Sequence, residues 1–490
     1  MGSVGYVRRN PEHSLLYKIV QTQFETFLAQ ASEAHDTAGV PKFVEKELRA
    51  FLDCGVLARG FARWRCADCS SELLVALSCK GRGFCASCGG KRMTGLAAHL
   101  TDHVIPFVPV RQFVLSVPHR LRYLLAYDHE RCIAVLRIFI RALMSFYRSR
   151  ARKRGVARAR TGTVTFLQRF GSAANLHLHA HVIVLDGVFT EAANGHLSFH
   201  PAQPPSEVEL ADLLARVRTR ILSHFKRRGL LDADHDLFGE QAPVLANCYA
   251  ASIGGRQTVG RRAGAKLQRI GADPHAPWVE AGGRLRAQCD GFDLHAALTV
   301  QAQRADGRQP LEKLLRYCAR PPIAEERLKE LPDGRIALRL KTPWHDGTTH
   351  VVFEPLDFVA KLAALVPRPR KNLVLYHGVL SANAAWRSRV VSYGREANPF
   401  APQAEAPPAR EDEHCVQRSG SARVLSRTKR RQWAELMRRA FGYDMAACTH
   451  CGGRMRLRAI VLDQTATRKI LLHLHLPSAP PTTSPARASP

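Results

Sequence analysis

Three histidines alternate along Asn175-Leu-His-Leu-His-Ala-His-Val-Ile-Val-Leu-Asp-Gly-Val-Phe189. The run is rich in Val, Ile and Leu and reads as a β-strand. Successive side chains of a strand point to opposite faces, so His177, His179 and His181 share one face. Imidazoles two residues apart on a rigid strand can bind one divalent ion side by side. A cation resting on a nucleic-acid phosphate is what makes phosphoryl transfer feasible. The bland alternative is a strand with a partly solvated polar face. With 22 histidines in 490 residues, about one His-x-His arises by chance. His473-Leu-His475 is such a second instance.

A tyrosine supplies the matching nucleophile. The helix Leu311-Glu-Lys-Leu-Leu-Arg-Tyr-Cys-Ala-Arg320 has an apolar stripe at Leu311, Leu314, Leu315 and Cys318. Tyr317 lies off that stripe, near Lys313 and Arg320. A phenol among cations that can hold a phosphate suits attack on a phosphodiester. The competing reading is an amphipathic tyrosine at the edge of a core.

Cysteines offer a second kind of site. Cys66-Ala-Asp-Cys69 and Cys85-Ala-Ser-Cys88 are two CxxC pairs separated by 15 residues, the spacing of a four-cysteine zinc ribbon. Such a closed site has no open coordination position and folds a DNA-binding knuckle without doing chemistry. Cys54 and Cys79 lie nearby as alternative ligands. Cys448-Thr-His-Cys451 looks like half of a further knuckle, which His450, His473, His475 or a partner chain would have to complete.

The elements that position these groups follow from periodicity. Helices are expected over 13–53 with a break at Gly39-Val-Pro41, over 129–150, 212–226, 310–320 and 356–365. Strands are expected at 111–118, at 161–170 paired with 176–189, and as a hairpin over 335–353 turning at Asp346-Gly347. The fold class is α+β, an antiparallel sheet with helices, preceded by a small helical zinc-ribbon domain and followed by a small C-terminal domain. The expected division is a helical and four-cysteine zinc-binding domain over 1–100, a catalytic domain over 101–396, a flexible linker over 397–427, a basic CxxC domain over 428–476 and a disordered Pro/Ala/Ser tail over 477–490.

Charge points to the partner. The chain has 72 Lys and Arg against 42 Asp and Glu, a net +30, which predicts attraction to a polyanion. Between Arg131 and Phe170 there are eleven basic residues and no acidic one. Arg148, Arg150, Arg152, Lys153 and Arg154 form its densest part and are expected to contact phosphates, so binding should be salt-dependent. No apolar run of about 18 residues would span a membrane. Met1 to Asn10 has no signal-type apolar core, so a cytoplasmic, nucleoid-associated protein with reduced thiols is expected.

Several segments recur together in one family. They are Cys66-x2-Cys-x8-Ser-Cys-Lys-x-Arg-x-Phe-Cys-x2-Cys88, Gln168-Arg-Phe-Gly followed by His179-Ala-His-Val-Ile-Val-Leu-Asp-Gly-Val-Phe189, Leu315-Arg-Tyr-Cys-Ala-Arg-Pro-Pro-Ile323, Pro367-Arg-Pro-Arg-Lys-Asn-Leu-Val-Leu-Tyr-His-Gly378 and Cys448-x2-Cys-Gly-Gly-Arg-Met-Arg456. In this order they resemble the bacterial rolling-circle insertion-sequence transposases, HUH endonucleases with an N-terminal zinc-binding domain. The resemblance implies that His179 and His181 ligate Mg²⁺ or Mn²⁺, and that Tyr317 attacks single-stranded DNA at the element ends to form a 5′-phosphotyrosine. It also implies a structural Zn²⁺ and a host helicase as partner. Pro321 stands one turn after Tyr317, which favours a single-tyrosine scheme. Ala180 is smaller than the bulky apolar residue usual between the paired histidines. For the third ligand, His177 on the same face is favoured over Gln168 on the neighbouring strand. The alternatives are a non-catalytic zinc-ribbon DNA-binding protein or inactive remnant, a zinc hydrolase, and a plasmid replication initiator sharing the same chemistry.

Overall fold

A computed structural model describes residues 9–33, 39–230, 242–273, 275–276, 283–395, 436–439, 444 and 446–487. The expected linker over 397–427 lies outside them, as does most of the first part of the basic domain expected over 428–476.

Helices α1 (Leu15–Glu33) and α2 (Lys42–Leu52) open the chain, as their apolar spacing predicts. Strands β1 (Phe61–Cys66) and β2 (Glu72–Ala76) form an antiparallel hairpin, and helix α3 (Ala86–His103) follows. That helix was not expected from the sequence. Its N-terminus carries Cys85 and Cys88, and its buried face is Thr94, Ala97, Ala98 and Leu100. Helical spacing of small residues was the signal, and the glycines at 89, 90 and 95 hid it.

The central sheet begins with β3 (Val110–Ser116), and helices α4 (His119–Tyr127) and α5 (His129–Lys153) follow it. Asp128 caps α5 by accepting from the Glu130 and Arg131 amides at 2.9 and 3.2 Å. Next come β4 (Gly162–Phe170), β5 (Leu176–Leu185), and the hairpin β6 (Gly187–Glu191) with β7 (Leu197–Pro201). The single strand expected over 176–189 therefore divides at Asp186. Its carboxylate is buried and held by the Arg111 guanidinium at 2.9 Å and by the Tyr147 hydroxyl at 2.7 Å. The chain turns out of the sheet to satisfy that charge.

Helix α6 (Glu207–Lys226) starts at a capping box of Ser206 and Glu209. Helix α7 (Pro243–Gly254), short strands β8 (Gln268–Ile270), β9 (Arg286–Cys289), β10 (Phe292–His295) and β11 (Thr299–Val300), and helix α8 (Arg308–Ala319) continue the chain. Strands β12 (Leu328–Glu330), β13 (Ile336–Arg339) and β14 (His350–Phe353) form a sheet with β8, and the expected hairpin is its centre. Helix α9 (Pro355–Leu365) and strand β15 (Val374–Gly378) complete this part.

The main sheet runs β15-β4-β5-β3-β10-β9, every pair antiparallel, with β11 also on β3. Its two faces feed two cores. Leu176, Leu178, Ala180, Val182 and Val184 of β5 belong to the larger one, together with α1, α5, α7 and α9. Ile183 and Leu185 face the other, with Val164 and Phe166 of β4 and Leu311, Leu314 and Leu315 of α8. The alternation of β5 is thus a hydrophobic wall on one side and, on the other, a histidine row leading into a second core.

Strand β16 (Met455–Val461) pairs antiparallel with β1, so the first and last parts of the described chain share one three-stranded sheet. The tail, expected to be disordered, lies along α1 as far as it is described. Gln21 donates to the Thr482 carbonyl at 2.8 Å and accepts from the Ser484 amide at 3.1 Å. Residues without side-chain hydrophobicity can still order when a helix offers them backbone partners.

The Arg111–Asp186 pair is 3% and 5% exposed. Removing one member of such a buried pair strands the other charge, at a cost of about 3–5 kcal/mol. Arg111→Met should lower the unfolding free energy by that amount, read as a lower urea midpoint at unchanged slope.

Candidate active site and thiolate centres

The histidine face is built by register. Gln168 of β4 lies opposite His179, and Val114 and Phe166 lie on either side of His181. The rings of His177 and His179 are 5.0 Å apart between centroids, and those of His179 and His181 are 4.9 Å apart. Burial pulls all three below the ordinary histidine value, to about 2, 4 and 3 for His177, His179 and His181. Arg122 adds to this at His177 and His179, and Arg320 at His179 and His181. Near neutral pH the rings are uncharged, with lone pairs to offer.

Two of the rings are oriented by hydrogen bonds. His179 Nδ1 lies 3.0 Å from the His177 carbonyl, so Nδ1 carries the proton and Nε2 the lone pair. His181 Nδ1 lies 2.9 Å from the Gln112 amide, whose nitrogen also donates to Cys318 Sγ at 3.2 Å. The Gln112 nitrogen donates to Nδ1, and Nε2 faces the site. His181 Nε2 is buried without a protein partner.

Helix α8 lies across this face. The Gln168 side-chain amide donates to the carbonyls of Tyr317 and Cys318, at 3.3 and 2.7 Å. It thereby caps the end of α8. Its own Oε1 is buried and unpartnered. Tyr317 is 46% exposed, off the buried stripe of Leu311, Leu314, Leu315 and Cys318, as expected. Its ring stands edge-on to His181, with centroids 5.7 Å apart. The Arg320 guanidinium lies 4.5 Å from the centre of the Tyr317 ring, and Lys341 Nζ lies 5.1 Å from it. Arg320 Nε and Nη1 are buried with no protein acceptor, which leaves two aimed donors for an anion. Lys341 follows β13 and was not legible as a site residue, because only the hairpin's fold carries it here. Gln112 was missed for the same reason.

The histidines do not converge as a set of three. Among the described residues, the groups of three or more Cys, His or carboxylate residues whose ligand atoms lie within 4.8 Å of one another are two sets of four thiols. His177 and His181 are four residues apart on a straight strand, about 13 Å between Cα atoms, too far to close on one ion together.

The two thiol sets are Cys54, Cys79, Cys85, Cys88 and Cys66, Cys69, Cys448, Cys451. This corrects the single site expected from Cys66, Cys69, Cys85 and Cys88. Cys66 and Cys69 sit at the turn of the β1/β2 hairpin, whereas Cys79 follows β2 at its open end, where Cys54 is. A strand of five residues separates the two ends by about 17 Å. In the first set the sulfurs of Cys54 and Cys85 are 3.6 Å apart, and those of Cys79 and Cys88 are 3.4 Å apart. A tetrahedron of thiolates about 2.3 Å from zinc has edges of about 3.8 Å.

Two family models match the chain, one after the other. Residues 19–117 match a transposase zinc-binding domain, Zn_Tnp_IS91, and residues 162–388 match Y2_Tnp, described as "Putative transposase". Both models are of transposases, a zinc-binding region followed by a transposase domain. Comparison with curated proteins and with solved structures gives no match. The zinc-binding match contains all of Cys54, Cys79, Cys85 and Cys88, which fit a structural zinc. Being a transposase, the chain binds DNA. No described helix is long and apolar enough to cross a membrane.

The basic block lies elsewhere on the transposase. Arg148, Arg150, Arg152, Lys153 and Arg154 end α5, beside β6 and β7. His179 and Gly187 are eight residues apart along the sheet, about 27 Å. Arg150 is committed to Glu209 at 3.0 Å and to the carbonyls of Gln203 and Pro204, while Arg148, Arg152, Lys153 and Arg154 are exposed. Lys313 is exposed on α8.

Proposed function

We propose that this transposase nicks single-stranded DNA at the element ends through Tyr317, in a rolling-circle mode. The observation that carries the reading is Tyr317 set against His181 with Arg320 over its ring, because the two residues come from distant parts of the sequence. A pure DNA-binding protein has no use for that juxtaposition.

His179, His181 and Gln168 Oε1 are the residues that would hold a divalent cation, with His177 beside them. Bound there, Mg²⁺ or Mn²⁺ would polarise the scissile phosphate. The choice of Gln168 rests on its orphaned oxygen and its place opposite His179. Arg320 and Lys341 draw the phosphate to the phenol. Tyr317 Oη attacks phosphorus and loses its proton. The new O–P bond replaces the P–O3′ bond, and the 3′ oxygen leaves as a hydroxyl. One phosphoester is exchanged for another, so rejoining needs no ATP. Exposed arginines at the end of α5 hold the strand at a distance from the chemistry.

The test uses labelled single-stranded DNA from the ends of the encoding element. A covalent adduct should form with Mn²⁺ and be absent with EDTA. His179→Ala with His181→Ala should lower the yield on the order of a hundredfold or more. Specific binding with no adduct under any metal would leave a DNA-binding remnant, and the nickase reading would be abandoned.

A further inference from the structure

We propose that Cys66, Cys69, Cys448 and Cys451 bind a second zinc ion, which fastens the C-terminal segment to the N-terminal sheet and seats Arg439 against the helix that carries Tyr317. The matched zinc-binding region ends at residue 117 and so lacks two of these ligands.

The geometry is that of two facing knuckles. Cys66 and Cys451 sulfurs are 3.5 Å apart, Cys69 and Cys448 sulfurs are 3.6 Å apart, and all four lie within 4.8 Å of one another. These are the edges of a thiolate tetrahedron around zinc. Each CxxC turn aims backbone amides at its own sulfurs. Asp68 N–H points to Cys66 Sγ, His450 N–H to Cys448 Sγ and Gly453 N–H to Cys451 Sγ, each at 3.4 Å. Amide donors at the sulfurs are the usual outer layer of a tetrathiolate metal site.

Strand pairing delivers the two knuckles. Cys66 at the end of β1 lies opposite Met455 at the start of β16, and Ala67 N–H donates to the Arg454 carbonyl at 3.0 Å. Cys66, Cys448 and Met455 are buried together, with Trp64 and Leu73 packed on them. Four sulfur ligands in a closed, partly apolar shell select zinc among common divalent ions. No histidine is needed to complete the set.

What the clasp holds extends to α8. Arg439 donates to Asp102 at 2.7 and 3.0 Å and to Glu312 at 2.8 Å. Asp102 is on α3 and Glu312 on α8, and both are buried. Leu436 is also buried, and its side chain comes within 3.4 Å of where a Cβ on Gly95 of α3 would stand. Arg439 thus bridges a buried carboxylate on α3 to one on α8, with Arg308 and Arg395 adding positive charge near Asp102. The metal site itself stands whatever role Tyr317 has.

The test is the zinc content of the full chain, purified without chelator. Two zinc ions per chain are expected, and Co²⁺ exchange should give thiolate charge-transfer absorption for two tetrathiolate sites. Cys448→Ser with Cys451→Ser should hold one zinc and release the C-terminal segment to limited proteolysis at least tenfold faster. One equivalent in the unaltered chain, or two in the variant, would overturn the proposal. Should the variant be insoluble, Co²⁺ titration of the unaltered chain, counted by native mass spectrometry, decides the matter by itself. Disulfides in place of cobalt at these four positions would overturn it too.

Discussion

Tyr317→Phe is expected to abolish the covalent protein–DNA product while leaving the fold and DNA binding intact. The substitution removes one hydroxyl from a side chain that is 46% exposed. The ring keeps its edge contact with His181 and its place under Arg320 and Lys341, because those contacts use the ring. Stability should therefore change by no more than about 0.5 kcal/mol, as for other exposed positions. Loss of the nucleophile has no such compensation, and nicking should fall on the order of a thousandfold or more. Denaturing gels of labelled DNA report the adduct, and a thermal melt reports the fold. Persistence of the adduct in Tyr317→Phe would mean that another oxygen attacks, and the assignment would fail even if the chain were a nickase.

The parts of the site that were legible in the sequence are those set by short-range periodicity. Alternation put His177, His179 and His181 on one face of β5, and helical spacing put Tyr317 off the buried stripe of α8. What periodicity cannot give is register between distant strands. Gln112 and Gln168 reach the histidines only because β3 and β4 flank β5, and Lys341 reaches Tyr317 only through the β13 hairpin. The thiol sites failed for a related reason. Spacing paired Cys66 and Cys69 with Cys85 and Cys88, but a hairpin sends the chain back along itself, so near neighbours in sequence end at opposite ends of β1 and β2. Cys54, Cys79 and the CxxC at 448 were the residue-level hint, since each left a pair in need of a partner. The basic run was legible as charge and misleading as location, because α5 carries it past the sheet to the far end of β5.

The other large effect is expected at the first thiol set. Cys85 is the N-cap residue of α3 and Cys88 lies in its first turn, so two of the four ligands fix where that helix begins. The next residue, Gly89, backs onto Pro321, where a Cβ would stand 2.6 Å from the proline side chain. Pro321 directly follows Arg320, the cation over Tyr317. The zinc-fixed turn is therefore one contact away from the end of α8. Binding of structural zinc is worth about 10–16 kcal/mol at neutral pH and counts as folding free energy, comparable to a typical domain's whole stability of about 5–15 kcal/mol. Cys85→Ser with Cys88→Ser should accordingly lose one zinc ion, melt without a cooperative transition for the N-terminal helices, and give no adduct with DNA. Circular dichroism, zinc content and the adduct assay together test this. A variant that lacks the zinc yet melts within a few degrees of the unaltered chain and still forms the adduct would show that α3 and α8 hold their places by apolar packing alone, with the thiols as passengers.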